Sequence, residues 1–292
     1  MKIKQTKGEM IFNAFNVFLM LFVVVVTIYP MVHIILSSLS NPGRLMEHTG
    51  LILKPYGFNL ESYKIVFKNP MILSGYRNTI FVVIVGVCLN IVLTSMGAYF
   101  LSRKRVMLRN AIMVIIITTM YFSGGLIPFY FTVKDLQLDN TLFSLIFPGA
   151  INTFNLIIMR TAFYSLPDSL EESGKLDGAG HFTILFRILF PLALPTVAVL
   201  VLYYGVAHWN AWFNAMLFVG GKRDLWPLQL VLREVLISND VESMVVGAGD
   251  KAMIGETIKY SIIVVATLPI LALYPFLQKY FVKGALIGSV KE

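Results

Sequence analysis

Six long apolar stretches without Asp, Glu, Lys or Arg, separated by shorter polar segments, set the pattern of this chain: 10–43, 78–102, 110–133, 140–159, 188–221 and 260–278. About twenty apolar residues cross the hydrocarbon core of a bilayer, so each stretch predicts one transmembrane helix. The first and fifth are longer than a crossing needs, and their ends are expected in the headgroup region or in a loop. The expected fold is an all-α membrane protein with six transmembrane helices in a single domain over 1–292, its first helix at about 11–38 and its core spans over about 78–281. Pro42, Pro55 and Pro70 mark 37–77 as an outer segment, with Leu60-Glu-Ser-Tyr-Lys-Ile-Val-Phe67 as a short interfacial helix inside it. Ser123-Gly-Gly-Leu-Ile-Pro128 breaks the third helix, because glycine pairs and proline interrupt the helical ladder. Pro148-Gly149 predicts a kink in the fourth. The segment 214–259 reads as the longest loop, with Trp226-Pro-Leu-Gln229 and an apolar-periodic piece over 228–237.

Polar residues inside the spans carry more information than the apolar ones. Asn78, Gly86, Asn90, Thr94 and Ala98 recur at multiples of four on the second span, hence on one face. That face is a helix–helix packing seam, or in part the lining of a hydrophilic path. Asn152 and Asn155 share a face of the fourth span. On the fifth, Asn210 and Asn214 share a face, flanked by Trp209, Trp212 and Phe213. Two readings stay open for that cluster: an interfacial aromatic belt, or a translocation path where rings stack on sugars and amides meet hydroxyls.

With 57% hydrophobic and 14% charged residues and a mean hydropathy of +0.75, this is not a soluble globular composition. Orientation follows from Lys and Arg. With the N-terminus inside, segments 1–10, 102–109, 160–187 and 279–292 hold 13 of the 24 basic residues in about 60 positions, against 11 in about 100 outer positions. The expected topology is N-in and C-in. The pI near 9.5 is met by this bias and by anionic headgroups, so no nucleic acid is implied. Lys2, Lys4 and Lys7 precede an apolar run too long for a signal peptide, and an uncleaved first helix is expected. The single Cys88, mid-span, reads as a small buried hydrophobe.

No Asp or Glu lies in any of the six stretches, so little is present to couple an ion gradient. There is no metal-spaced His pair, no G-x-S-x-G and no Walker A motif. The chain is expected to be no enzyme, to bind no metal or other cofactor, and to draw on ATP only through another chain.

The loop over 164–190 is the most structured of the polar segments. Within it, Leu166-Pro-Asp-Ser-Leu-Glu-Glu-Ser-Gly-Lys-Leu-Asp-Gly-Ala-Gly180 opens with Pro167 and Asp168, suited to a first helical turn. Glu171 to Leu176 continue that helix, weakened by Gly174, and Asp177-Gly178 reads as a turn. Phe182, Leu185, Phe186 and Leu189 begin a second helical period. A helix–turn–helix against the membrane surface is a docking element for another protein.

Glu172-Ser-Gly-x-x-Asp-Gly178, nine residues, then Ile188-x-Phe190-Pro191 resembles the E-A-A-x-x-x-G-(x)9-I-x-L-P loop of inner-membrane permeases of binding-protein-dependent ABC importers. Pro195, Asn78-Thr79, Gly124-Gly125-Leu126-Ile127-Pro128, Trp209-Asn210 and Pro227-Leu228-Gln229 are similar to the carbohydrate-uptake, maltose-permease-like branch. Ser173 and Gly174 stand where that loop has two alanines, and Phe190 where it has leucine. The resemblance implies a bacterial inner-membrane, multi-pass permease that carries a carbohydrate, an oligosaccharide in particular. It implies a homologous second permease, two cytoplasmic ATPase subunits holding ATP and Mg, and an extracytoplasmic solute-binding protein, within membrane lipid. The loop becomes a coupling helix between helices 4 and 5, with Glu171, Glu172, Ser173, Gly174, Asp177, Gly178 and Ala179 as its contact set. Asn152, Asn155, Trp209, Asn210 and Trp212 are the candidate substrate path. A non-sugar solute and a gradient-driven secondary carrier are the competing expectations.

Overall fold

The computed structural model describes residues 6–104, 106–237, 255–272 and 275. They are mostly helical, with no strand among the described residues beyond an isolated antiparallel bridge between Ser40 and Phe58. The chain divides into two compact units, Met1–Asn69 with Glu234–Thr267, and Pro70–Arg233 with Leu268–Glu292.

In the first unit, α1 (Lys7–Ser38) starts on a capping box. Thr6 Oγ1 accepts from the Glu9 amide, and Glu9 Oε2 accepts from the Thr6 amide. Its side chains from Lys7 to Ile28 are exposed although apolar on every side, as a lipid-facing or partner-facing helix requires. The short helices α2 (Pro42–Glu47) and α3 (Glu61–Lys68) follow, the latter where an interfacial helix was expected. Tyr63 Oη lies 2.7 Å from Ser38 Oγ, tying α3 to the end of α1. Ser261 Oγ, on the helix Gly255–Ala272, donates to Ser62 Oγ at 2.8 Å. That helix begins five residues before the sixth apolar stretch at 260–278, whose end lies outside the described residues.

The second unit is organised around α4 (Pro70–Ser102). It starts eight residues earlier than the apolar pattern suggested, at 70 rather than 78. Pro70 is thus a first-turn residue rather than a loop residue, which costs nothing because first-turn amides lack intrahelical partners. Asn78, Gly86, Asn90, Thr94 and Ala98 are all buried, as the packing seam requires. Cys88 corrects its expectation: it is exposed, on the opposite side of α4 from that seam.

The third stretch makes no straight helix. α5 (Arg109–Tyr121) and α6 (Leu126–Asp135) meet at 112°. Gly125, at φ 87°, is the turn residue. The fourth stretch opens as 3-10 turns, Leu142–Leu145 and Phe147–Gly149, and continues as α7 (Thr153–Tyr164) at 51° to them. Its kink falls at 150–152, directly after the expected Pro148-Gly149. α8 (Asp168–Leu176) is the loop helix. α9 (His181–Leu192) contains a π segment, Ile184–Leu189, and turns by 89° into α10 (Leu194–Trp209). Pro191 and Pro195 bracket that corner: Pro191 has no amide to offer the ladder, and Pro195 sits in the first turn of α10, where none is needed.

The fifth stretch departs from the expected continuous helix. α10 stops at Trp209, and α11 (Trp212–Val219) starts afresh after Asn210-Ala211. Asn210 and Asn214 therefore do not share one helix face. Asn214 lies in α11, so the following loop is shorter than 214–259 suggested. Within that range α12 (Leu228–Ile237) is the apolar-periodic piece, and 238–254 lie outside the described residues. α4 packs against α7 and α10, and their buried Ile91, Leu156, Met159, Phe163, Val197 and Leu200 join Ile184 and Leu189 of α9 in one core. Among the described residues, α1, α4 and Gly255–Ala272 are each long and apolar enough to cross a membrane, and up to six spans result if each bent pair is one.

Candidate functional site

The loop helix is built from local rules. Asp168 and Glu171 fall in the first turn of α8 and Lys175 in the last, the arrangement that complements the helix dipole. The helix ends in a Schellman motif: Ala179 N–H donates to Gly174 O at 2.8 Å, and Gly178 N–H to Lys175 O at 3.0 Å. Gly178 supplies the left-handed residue, φ 80°, that this ending needs.

α8 divides the nominated residues between two faces. Glu171 and Gly174 are buried against the chain itself, whereas Glu172, Ser173, Asp177 and Gly178 are exposed and Ala179 is half-buried. Glu171 Oε2 accepts from Arg103 Nη1 at 2.8 Å, and Oε1 lies 2.6 Å from Lys175 Nζ. Burial pushes the Glu171 carboxyl up, but the hydrogen bonds from Lys175 and Arg103 outweigh it and hold it below the usual carboxylate range. Lys104 Nζ donates to Asp168 Oδ2 at 2.7 Å in the open. The bonded Asp168 carboxylate raises the Lys104 ammonium above its ordinary value. A groove of about 570 Å³ runs between these groups, lined by Tyr99, Phe100, Arg103, Lys104 and His181 together with α8.

Gly174 was expected to weaken α8, and the structure adds a reason for it. A Cβ there would lie 3.0 Å from Ile188 Cδ1 and 3.4 Å from Ile184 Cγ1, so glycine lets α8 sit closely on α9. Gly174→Ala is expected to change little. About 1 kcal/mol of helix propensity is gained, and the Ile188 methyl is the movable end of a side chain. Gly174→Leu should lift α8 from α9, read as faster hydrogen exchange at the amides of α8; unchanged exchange would contradict the close-approach role.

The sequence reading missed two residues here. Leu176 is 88% exposed and apolar, on the outer face with Glu172; its i+4 spacing from Glu172 was the available sign. Arg103 had been read for its charge alone, as a marker of orientation.

The candidate path residues fall at two breaks. Asn152 caps α7 rather than lying on its face, its Oδ1 accepting from the Asn155 amide at 3.1 Å. Asn155 is buried. Trp209 is buried and meets the Tyr76 ring edge-on at 6.3 Å, which favours packing over an open aromatic face. Asn210 is exposed at the α10–α11 break, and Trp212 is partly exposed with the Arg233 guanidinium 4.6 Å over its ring. Tyr204 of α10 ties the start of α7 to α4: its hydroxyl accepts from the Asn152 amide at 3.0 Å and lies 2.8 Å from Thr94 Oγ1.

A buried clamp lies beside that link. Asn90 Nδ2 donates to Gly149 O and Ala150 O, each at 2.9 Å, which leaves Oδ1 to accept from His208 Nε2–H at 2.7 Å. The kink frees carbonyls from the helical ladder, and an apolar phase offers them no water; Asn90 takes that place. Gly86 makes room, since a Cβ there would come 2.6 Å from His208 Nε2. Asn78 Nδ2 donates to Asp224 O and Trp226 O, and Thr79 Oγ1 accepts from the Leu228 amide at 2.9 Å. The Asn78-Thr79 and Pro227-Leu228-Gln229 landmarks are therefore two halves of one contact.

Residues 90–286 match the model of the binding-protein-dependent transport system inner membrane component family, and the chain belongs to that family of membrane proteins. Its relatives include Protein LplC of Bacillus subtilis (strain 168), 42% identical over 287 residues, covering 98% of this chain and 97% of LplC. The polygalacturonan/rhamnogalacturonan transport system permease protein YtcP of the same organism is 39% identical, covering 94% of this chain and 96% of YtcP. The crystal structure of a bacterial ABC transporter involved in the import of the acidic polysaccharide alginate contains a chain that superimposes with a TM-score of 0.87 at 29% identity. That match covers 96% of this chain and 100% of the other.

Proposed function

We propose that the protein is the transmembrane permease subunit of an ATP-driven ABC importer, moving an oligosaccharide delivered by an extracytoplasmic binding protein. The observation that carries this reading is the two-faced docking helix. Glu171 and Gly174 fasten α8 to its own chain, leaving Glu172, Ser173 and Leu176 on an outer face. The family description and the polysaccharides named for YtcP and the alginate importer support the carbohydrate class. In this reading the chain crosses a bacterial cytoplasmic membrane six times, N-in and C-in, each bent pair counting as one crossing. It pairs with a homologous permease above two ATPase subunits, which hold ATP and Mg and perform the hydrolysis; the permease itself catalyses no reaction. Asn152, Asn155, Trp209, Asn210 and Trp212 are the proposed path residues, with Asn210 and Trp212 the accessible pair.

The test is uptake by the complete transporter in liposomes, using a labelled glycan panel that includes uronic-acid oligomers. Uptake should require ATP on the ATPase side. Glu172→Lys, which reverses an exposed charge on the docking face, should lower it at least about tenfold. Transport by the purified chain alone in ATP-free liposomes would sink the proposal, and a binding protein that takes no glycan would remove its carbohydrate part.

A further inference from the structure

We propose that Arg103 is the positioning residue that makes the docking helix and the membrane bundle move as one piece; this rests on the docking reading above. Arg103 follows the last residue of α4, and its side chain is 12% exposed. All three guanidinium nitrogens are engaged. Nη1 donates to Glu171 Oε2 of α8 at 2.8 Å, Nη2 to the Phe163 carbonyl of α7 at 2.9 Å, and Nε to Ser102 Oγ of α4 at 3.0 Å. A second tie runs between the same helix ends, from Arg160 Nε of α7 to the Leu101 carbonyl of α4 at 3.0 Å. The planar fork thus fixes three elements at one point, which a flexible ammonium does less well.

The need for such a point follows from length. α8 has nine residues, too few for an isolated helix to hold its shape in water. Its covalent links to α7 and α9 are a few loop residues at each end. A push on the outer face of α8 would be lost in those links unless a side chain carried it across. The neighbouring pair, Lys104 with Asp168, is 62% and 55% exposed and screened by solvent, so it yields readily. The Arg103–Glu171 pair is shielded: without Glu171 the Arg103 charge would be buried and unpaired, and without Arg103 the Glu171 carboxylate would keep only Lys175 of its own helix. Arg103 is therefore the stiff connection between the face that meets a partner and the two helices, α4 and α7, that frame the core.

The experiment uses the complete transporter in nanodiscs, with cysteine-free partner subunits. Spin labels go on the native, exposed Cys88 of α4 and on Ser169→Cys, an exposed site of α8 outside the nominated docking set. The expected result is one narrow Cys88–169 distance, the same without nucleotide and with ATP trapped by a hydrolysis-blocked ATPase. In Arg103→Gln, and independently in Glu171→Gln, trapped ATP should shift or broaden that distance while the ATPase still co-purifies. Arg103→Lys should restore a single distance, broader than in the native chain. A native distance that changes with ATP would overturn the proposal, as would variants that keep the narrow distance. Failure of the native chain to co-purify with any ATPase would instead remove the docking reading, so the two failures are separate.

Discussion

Gly178→Val is expected to abolish uptake by the assembled transporter while the chain still inserts into the membrane. Gly178 adopts φ 80° at the end of α8 and supports the two bonds, from its own amide and from that of Ala179, that close the helix. Placing an L-residue in the left-handed region costs roughly 1–2 kcal/mol, and a β-branched residue is the least tolerant of it. That strain is comparable to the stability of so short a helix. The last turn should unwind, carrying Leu176 and Asp177 out of the proposed docking face. Room is not the issue, because nothing lies within 4 Å of a Cβ at this position. Gly178→Asn, a residue that visits the left-handed region, should therefore retain uptake to within about threefold. Equal loss in both variants would remove the argument from handedness and leave side-chain bulk on the proposed docking face as the cause.

The second large effect is expected from Asn90→Leu. Asn90 is fully buried, and leucine strands the carbonyls of Gly149 and Ala150 and the Nε2–H of His208. Each buried polar group without a partner costs about 1–3 kcal/mol. Three together imply roughly 3–6 kcal/mol after partial relaxation, at the upper end for single substitutions. Thermal unfolding in nanodiscs should show it as a much lower midpoint. Cys88→Ala, two residues away on the exposed side of α4, serves as the control and should stay within about 0.5 kcal/mol of the native chain. If the two variants unfold alike, Asn90 is not what holds the kink.

Which parts of the molecule were legible in the sequence follows from range. The helix at Asp168–Leu176, the turn at Gly178, the break in the third stretch and the kink after Pro148-Gly149 depend on residues within a few positions, and all appear within a few residues of where composition puts them. The periodicity of Asn78, Gly86, Asn90, Thr94 and Ala98 also identified a buried face, because helix geometry turns a spacing of four into a side. What the pattern did not hold was partnership. Asn90 with His208, or Arg103 with Glu171 and Phe163, requires knowing which distant helix lies alongside. The misplacements have the same origin. No charge interrupts 188–221, so the stretch read as one span across the break at Asn210-Ala211, and hydropathy cannot tell an exposed Cys88 from a buried one. Asn152 was assigned to a helix face because nothing apolar marks where α7 begins; it caps the helix instead. The two-faced character of α8 was half legible: adjacent Glu171 and Glu172 look alike in sequence, and only the position of Arg103 decides which one turns inward.

The clamp at Asn90 also sets a timetable for synthesis. Gly149 lies 59 residues beyond Asn90, and His208 lies 118 beyond it. At roughly 5–20 residues per second the interval between the two arrivals is on the order of 3–12 s. During that interval the kinked span can already lean on the Asn90 amide, while the amide oxygen still waits for its imidazole. A bundle that packs as it is made would pass through a half-tied stage whose length is set by the spacing of three residues, and the arrival of α10 would complete it.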